Sequence, residues 1–370
     1  MGKRIHTHLT IYPPLIMEDQ LKVIIRCLVY NHEPYLRDCL EGFVMQQTNF
    51  PFKAVVHDDA STDNSATIIR EYAEKYPHII EPIYETENQY SKHDGSLGRI
   101  MNAATLGRSP YLAYCEGDDY WIDPYKLQKQ VDILDKNPDC VMVCSNAKVL
   151  KRDGWMTLEE KKKQEWFHHY ESKFLTAADF LFNSGYTCTL IIRSDIQKKF
   201  SNKRIQCAWG DFALKVFTAI HGTVYCIAEE TAVYRALALG SFTSRAPSFS
   251  KEKKIRVEMS LINTMEYLND KSKHLFEDSF NARIYNHASN AILIDESLAP
   301  ALCKKYGHLF LKCSQKDREN PSLIRYWLRR IKWFPFKPGN FINVLKKVSW
   351  RQRFQITFIC LKAYFSPKTR

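Results

Sequence analysis

Between residues 21 and 115, short apolar runs alternate with segments whose apolar residues recur at helical spacing. No other feature restricts the fold as much. Leu21 to Val29 is almost wholly apolar apart from Lys22 and Arg26, and reads as a strand. Glu33 to Gln47 follows with Leu36, Leu40, Phe43 and Val44 at helical spacing. Ala54 to His57 is a second short strand, and Ser65 to Tyr76 a helix for which Asp63 is the expected N-cap. Ile79 to Tyr84, Leu97 to Leu106 and Tyr111 to Cys115 continue the rhythm as strand, helix and strand. Strands spaced by helices in this way imply a parallel α/β sheet with helices on both faces.

In such sheets ligands bind beyond the carboxyl ends of the strands. Two acidic clusters fall at those ends, Asp58-Asp59 after the second strand and Glu116-Gly117-Asp118-Asp119 after the fourth. Carboxylates packed this closely repel one another, and a divalent cation relieves the repulsion. Hard oxygen ligands suit Mg²⁺ or Mn²⁺ that also bridges substrate phosphates. An isolated Asp-Asp after a strand is ordinarily a solvated turn, but two clusters at neighbouring strand ends outline a nucleotide site.

The words that carry this outline resemble family 2 glycosyltransferases of the GT-A fold, which are nucleotide-sugar-dependent and inverting. They are Val29-Tyr30-Asn31-His32, Asp58 to Ser65 (DDASTDNS), Glu116 to Trp121 (EGDDYW), Asp123 to Gln130 (DPYKLQKQ), Trp209-Gly210-Asp211 and Val233-Tyr234-Arg235. Together they span about two-thirds of the chain, residues 21–245. No G-x-G-x-x-G, P-loop, H-E-x-x-H or G-x-S-x-G motif competes. A nucleotidyltransferase would also use Asp and Mg²⁺, but Tyr30-Asn31-His32-Glu33 is not the Gly-rich, basic loop expected of that class.

The resemblance implies that the backbone near Val29, Tyr30 and Asn31, with Asp58 or Asp59, holds the nucleobase and ribose of a uridine or thymidine diphosphate sugar. An Asp accepts the imide N–H of either base. It implies that Asp118 and Asp119 reach the ribose and a Mn²⁺ or Mg²⁺ on the diphosphate, with Glu116 at the first acidic position. Arg99 and Asn102 are placed near the diphosphate or the sugar, or in a structural role. Asp211 becomes the general base for an acceptor hydroxyl, although an Asp opening a helix is also an ordinary cap. The sequence departs from the family pattern where a His often follows the Tyr-Arg pair; Leu237 stands there, with Arg235, Ser241 and Arg245 as the nearest substitutes.

Beyond the core, Lys151 to Lys173 reads as a charged loop near the acceptor side, and His168-His169 as surface residues. Thr176 to Asp179 resembles a capping box for a helix to Phe182. Tyr186 to Arg193 reads as a strand, with Thr187, Cys188 and Thr189 towards the acceptor. The eleven Cys lack C-x-x-C pairing, which argues against a zinc site and a disulfide framework. The expected organisation is an arm over 1–20, a catalytic domain over 21–250 and a helical region over 251–370.

Charge is concentrated at the end. Residues 320–370 hold twelve of the 53 Lys and Arg and no Asp or Glu, so the remainder is balanced against its 41 Asp and Glu. Trp327, Trp333, Phe334, Trp350 and Phe365 lie among those cations. A basic, aromatic, amphipathic stretch suits an anionic membrane surface; nothing else supports nucleic acid as a partner. Met1 to Gln20 lacks the apolar core of a signal peptide, and no uncharged run reaches spanning length. The expectation is a cytoplasmic enzyme, peripheral on the inner face of the plasma membrane, with a glycan or lipid-linked acceptor in surface-polysaccharide synthesis. A non-catalytic module of the same fold docking a partner at the membrane is the alternative.

Overall fold

A computed structural model describes residues 21–316, apart from 158, 161–170, 183–184, 204, 206, 237 and 239–240. The expectations for 1–20, His168-His169, Leu237 and the basic tail 320–370 lie outside the described residues. The strands are β1 (Val23–Val29), β2 (Phe52–Asp58), β3 (Ile80–Tyr84), β4 (Tyr111–Tyr114), β5 (Tyr120–Trp121), β6 (Cys140–Lys151), β7 (Gly154–Trp155), β8 (Lys173–Leu175), β9 (Ile191–Arg193) and β10 (Thr223–Arg235). They form one sheet in the order β3-β2-β1-β4-β9-β6-β10-β5, with β7 beside β6 and β8 beside β10. β3, β2, β1 and β4 pair in parallel, as do β6 and β10, while β9 runs antiparallel between β4 and β6.

The near-continuous apolar run of β1 has a simple cause. Val23, Ile25, Cys27 and Val29 face one core with helices α1 (Glu33–Val44), α2 (Ser65–Lys75) and α4 (Lys126–Lys136), while Ile24 enters a second core with Met101 of α3 (Ser96–Thr105). A strand covered on both faces cannot alternate apolar with polar. Its one interior charge, Arg26, donates to Asn102 at 3.1 Å and lies over the Tyr114 ring. Asn102 also donates to Ser201 at 2.9 Å, so its amide is engaged in packing α3 on the sheet.

The stretch Tyr186 to Arg193 is not the single strand expected. Thr187–Thr189 forms a turn of 3₁₀ helix and only Ile191–Arg193 enters the sheet. Cys188 and Thr189 are fully buried, so they do not face an acceptor. The first helix also ends earlier than expected, at Val44. At Thr176 the capping arrangement is present: the Asp179 carboxylate accepts the Thr176 N–H at 2.7 Å and its hydroxyl at 2.9 Å.

Of the region expected to be helical, the described part to residue 316 forms helices Lys251–Lys271, Glu277–Ile294 and Ala299–Lys316. Leu261, Met265 and Leu268 are buried together with Phe280, Ile284 and Leu302. The same cluster contains Phe212, Val216 and Phe217 of the helix Gly210–Ala219. The helix that opens with Asp211 is thus held from behind by the C-terminal helices.

Burial also traps a cation. Lys126 is fully buried, donates to Gln130 at 2.7 Å and lies 4.2 Å from the centre of the Trp121 ring. Burial pushes its ammonium down to about 8. Between about 8 and the ordinary value of 10.5 the unfolded chain therefore holds the proton that the folded chain has lost. Stability from this group rises with pH across that window, and the cost of the buried charge is fully present below it. Relative to Lys126→Met, the wild type is expected to gain on the order of 2–3 kcal/mol from pH 8 to 10.5. Urea midpoints of both proteins at the two pH values check this, and a constant difference refutes it.

Candidate active site

The carbonyls at the end of β1 are shared by the two acidic loops. Arg26 and Leu28 accept from the N–H groups of Cys115 and Gly117, at 3.2 and 3.0 Å, and Val29 accepts from Asp59 at 2.9 Å. The clusters after β2 and β4 are therefore anchored to one strand end, on either side of it. Gly117 is required there, since a Cβ would sit 2.8 Å from His32 Nδ1 and 3.0 Å from Val29 Cγ2.

The loop after β1 is laced to the loop after β2. Asn31, at φ 55°, receives the Thr62 N–H on Oδ1 at 2.7 Å, and its own N–H donates to Ser61 Oγ at 2.9 Å. The His32 N–H donates to Ser65 Oγ at 3.0 Å. Asp63 does more than cap one helix. It accepts the Ser65 N–H at 2.9 Å and the Glu33 N–H at 3.0 Å, serving orphan donors at the start of both α2 and α1. Asn64 occupies the N-cap position itself.

Asp58 and Asp59 have different surroundings. Both Asp59 oxygens are taken by backbone, Oδ1 by the Gln89 N–H at 2.7 Å and Oδ2 by the Tyr90 N–H at 3.0 Å. Asp58 is 3% exposed; Oδ2 accepts from the Ser61 N–H at 3.3 Å, while Oδ1 is buried with no partner among the described residues. His32 Nδ1 is likewise buried and unpartnered. Burial holds the His32 imidazole below its ordinary value against the Asp118, Asp63 and Asp58 charges, so it is neutral at pH 7.

Asp118 and Asp119 are 9% and 4% exposed. Burial, then the Asp118 and Glu116 charges, push the Asp119 carboxyl well up, although the Arg235 N–H bonds its Oδ1 at 2.8 Å. Glu116 is open to solvent on one side yet closely surrounded by protein; that confinement, with Asp118 and Asp211, pushes its carboxyl up as well. Solvent on the open side screens part of this effect. Among the described residues none of the three forms an ion pair.

Three close carboxylates, none in an ion pair among the described residues, fit a divalent cation, which would restore their charged forms. No group of three or more His, Cys, Asp or Glu among the described residues is arranged to hold a metal unaided. One or two of these carboxylates could hold a cation completed by phosphate oxygens and water, as is usual for Mg²⁺.

Arg235 is not a spare phosphate ligand. Its Nη1 donates to the Asp118 carbonyl at 2.8 Å, its other nitrogen pairs with Asp38, and the guanidinium lies over the Tyr120 and Tyr35 rings. It clamps the acidic turn. Arg99 is engaged with Asp94, donating to the carbonyl at 2.7 Å and facing the carboxylate at 3.4 Å, and no bond joins it to the acidic clusters.

Asp211, 95 positions beyond Glu116 in the chain, lies within its electrostatic reach. Asp211 is half exposed; the protein packed around it acts to raise its carboxyl, but the Lys215 ammonium, the Phe212 N–H and the Thr187 hydroxyl outweigh this and hold the group below the usual range. Lys215 Nζ is 2.8 Å and Thr187 Oγ1 3.2 Å from Oδ2. Asp211 is therefore ionised at neutral pH, the state in which it can accept a proton. Lys215 was not singled out from sequence, although D-x-x-x-K at the head of the helix was a legible signal for it, and His32 stood in the Val29 to His32 word without a role of its own.

A sheet whose carboxyl ends carry these acidic loops, continued by an antiparallel β9 and the β6/β10 pair, defines the GT-A glycosyltransferase architecture. Residues 25–200, just under half of the chain, match the family model described as Glycosyl transferase family 2. By structure the chain is similar to Staphylococcus aureus TarS 1–349 in complex with UDP-GlcNAc, with a TM-score of 0.58 and 13% identity, over 95% of this chain and 93% of that one. By sequence it is 34% identical over 215 residues to the uncharacterized protein Rv1520 of Mycobacterium tuberculosis, a match covering 58% of this chain and 59% of that relative's length. It is 26% identical to the putative teichuronic acid biosynthesis glycosyltransferase TuaG of Bacillus subtilis, over 56% of this chain and 78% of TuaG. Among the described residues no helix is long and apolar enough to cross a membrane.

Proposed function

We propose that this protein is an inverting glycosyltransferase. It moves a sugar from a uridine- or thymidine-type nucleoside diphosphate sugar to a hydroxyl of a glycan or lipid-linked acceptor in cell-surface polysaccharide synthesis. The observation that carries the proposal is the meeting of three features on one end of the sheet. These are the orphaned buried oxygen of Asp58, the uncompensated pair Asp118 and Asp119, and the ionised carboxylate of Asp211. The UDP-GlcNAc complex of the S. aureus neighbour and the name of the B. subtilis relative support the donor class and the setting.

In this reading Asp58 Oδ1 accepts the imide N–H of the base, which ends its isolation. Asp59 holds the 89–90 loop rather than the ligand. Val29, Tyr30 and Asn31 wall the base and ribose, and Asp118 and Asp119 present oxygens towards the ribose and diphosphate. A divalent cation bound there, with Glu116 nearby, would neutralise charge on the leaving diphosphate. Asp211 removes the acceptor proton as the hydroxyl attacks the anomeric carbon. The C–O bond to the acceptor forms as the bond to the diphosphate breaks, so a single displacement inverts the anomeric centre.

Heat stabilisation by UDP, dTDP, GDP and their sugars, with and without Mn²⁺, tests the donor site. The expected result is a metal-dependent rise with a uridine or thymidine nucleotide. Asp119→Ala should lose the metal dependence. Asp58→Asn should weaken binding on the order of tenfold, the cost of one charge-assisted hydrogen bond. No rise with any nucleotide would instead favour a non-catalytic module.

A further inference from the structure

We propose that Lys215 is a positioning residue for Asp211, holding Oδ2 of its carboxylate so that Oδ1 faces the acceptor hydroxyl. The inference rests on Asp211 being the base. Lys215 is 2% exposed, on the buried side of a helix whose neighbouring positions Ala213, Leu214, Val216 and Phe217 are apolar and buried. An aliphatic residue would fill that position without the cost of desolvating an ammonium. What the lysine adds is its bonds. Nζ donates to Asp211 Oδ2 at 2.8 Å and to the Gly185 carbonyl at 3.0 Å.

Gly185 stands in the left-handed region at φ 67°, immediately before Tyr186 and the turn Thr187–Thr189. Thr187 Oγ1 donates to the same Asp211 Oδ2 at 3.2 Å. The 185–187 segment, distant in sequence, and the helix's own Lys215 therefore close on one oxygen, and Lys215 ties that segment to the helix. An exposed i,i+4 pair is worth only a few tenths of a kcal/mol. This one differs, because its cation is buried and fixed by a backbone acceptor on another element. Its charge also reaches Glu116, so one ammonium serves both sides of the proposed reaction centre. Without it the Asp211 carboxylate keeps the longer Thr187 bond but loses its shortest one, and a catalytic group displaced by about 1 Å loses on the order of 10²-fold in rate.

The test measures turnover and donor KM for K215M, K215R, K215Q, K215A and D211N in the full chain, each with its unfolding midpoint. The probe is UDP-GlcNAc, or whichever UDP-, dTDP- or GDP-sugar stabilises most, followed by nucleoside diphosphate release. K215M is expected to lose kcat on the order of 10²-fold with donor KM unchanged. K215R, or propylammonium added to K215A, should restore part of it, whereas propylammonium should not help D211N. Full kcat in folded K215M overturns the proposal, as does a loss that neither remedy relieves. If K215M fails to fold, K215Q decides, since it keeps the donors and drops the charge: a raised donor KM with intact kcat overturns the tether. D211N with full turnover removes the base assignment itself, whereas inactive D211N beside fully active K215M removes only the tether.

Discussion

Asp211→Asn is expected to lower kcat on the order of 10²–10⁴-fold, the range that general-base assistance supplies. Donor affinity should stay within about twofold of wild type, because Asp211 shares no hydrogen bond with the loops that hold Asp58, Asp118 or Asp119. Asn keeps the shape of the side chain and can still accept from Thr187 and Lys215. It cannot take the acceptor proton at neutral pH, and it leaves the Lys215 ammonium buried against a neutral partner. Some loss of stability is therefore expected beside the loss of turnover, and the unfolding midpoint separates the two. Nucleoside diphosphate release under saturating donor is the measurement, with heat stabilisation by the nucleotide as the control for binding. Unchanged turnover would remove Asp211 from the mechanism and leave it as a first-turn carboxylate paired with Lys215.

Trp121→Ala is expected to cost about 3–5 kcal/mol, the largest stability effect of any single change argued above. Trp121 is 1% exposed and meets Phe43 edge to face at 5.0 Å between ring centres. Its indole N–H donates to the Cys188 carbonyl at 2.7 Å, and the Lys126 ammonium lies over its ring. Alanine opens a cavity, orphans that carbonyl and strips the buried cation of its aromatic partner. Relaxation of α1 into the cavity is limited by how near it already stands, since even a Cβ on Gly42 would come within 2.9 Å of the Trp121 backbone nitrogen. The loss should therefore fall in the upper part of the range, read as a lowered urea midpoint. A cost below about 1 kcal/mol would mean that the site collapses freely. Because Trp121 lies two residues beyond Asp119, weaker donor binding should accompany the loss.

Much of the first half of the fold was legible because its signals are local. β1, β2 and β4 are short, largely apolar runs buried in the sheet, β3 is a half-buried edge strand, and the helices between them show their apolar stripe. Asp211 and the two acidic clusters were legible as short words in fixed order. Misreadings came where one residue answers to two elements. Asp63 reads as a single cap because only one helix follows it, yet its second oxygen serves Glu33, thirty positions earlier. Asn102 and Arg26 are unremarkable apart and become a pair only when α3 packs on the sheet. Thr187, Cys188 and Thr189 look alike in sequence, and the turn they form sends Thr187 towards Asp211 while burying the other two.

By itself the sequence determined the class of fold, the strand ends that carry the acidic clusters, and the carboxylates available there, because periodicity and turn chemistry act within a few residues. Tertiary structure alone decided how those carboxylates divide the work. Asp58 and Asp59 are adjacent and chemically identical, but the 89–90 loop satisfies both oxygens of one and leaves an oxygen of the other buried and unbonded. Arg235 looks like a phosphate ligand in sequence and is a clamp in space, since Asp38, Tyr35, Tyr120 and the Asp118 carbonyl converge on it. Lys215 acquires its role only when Gly185 and Asp211 are brought to the same ammonium. Hydrogen-bond partners and countercharges act over a few ångströms of space, and only the folded chain determines which distant residues lie within that reach.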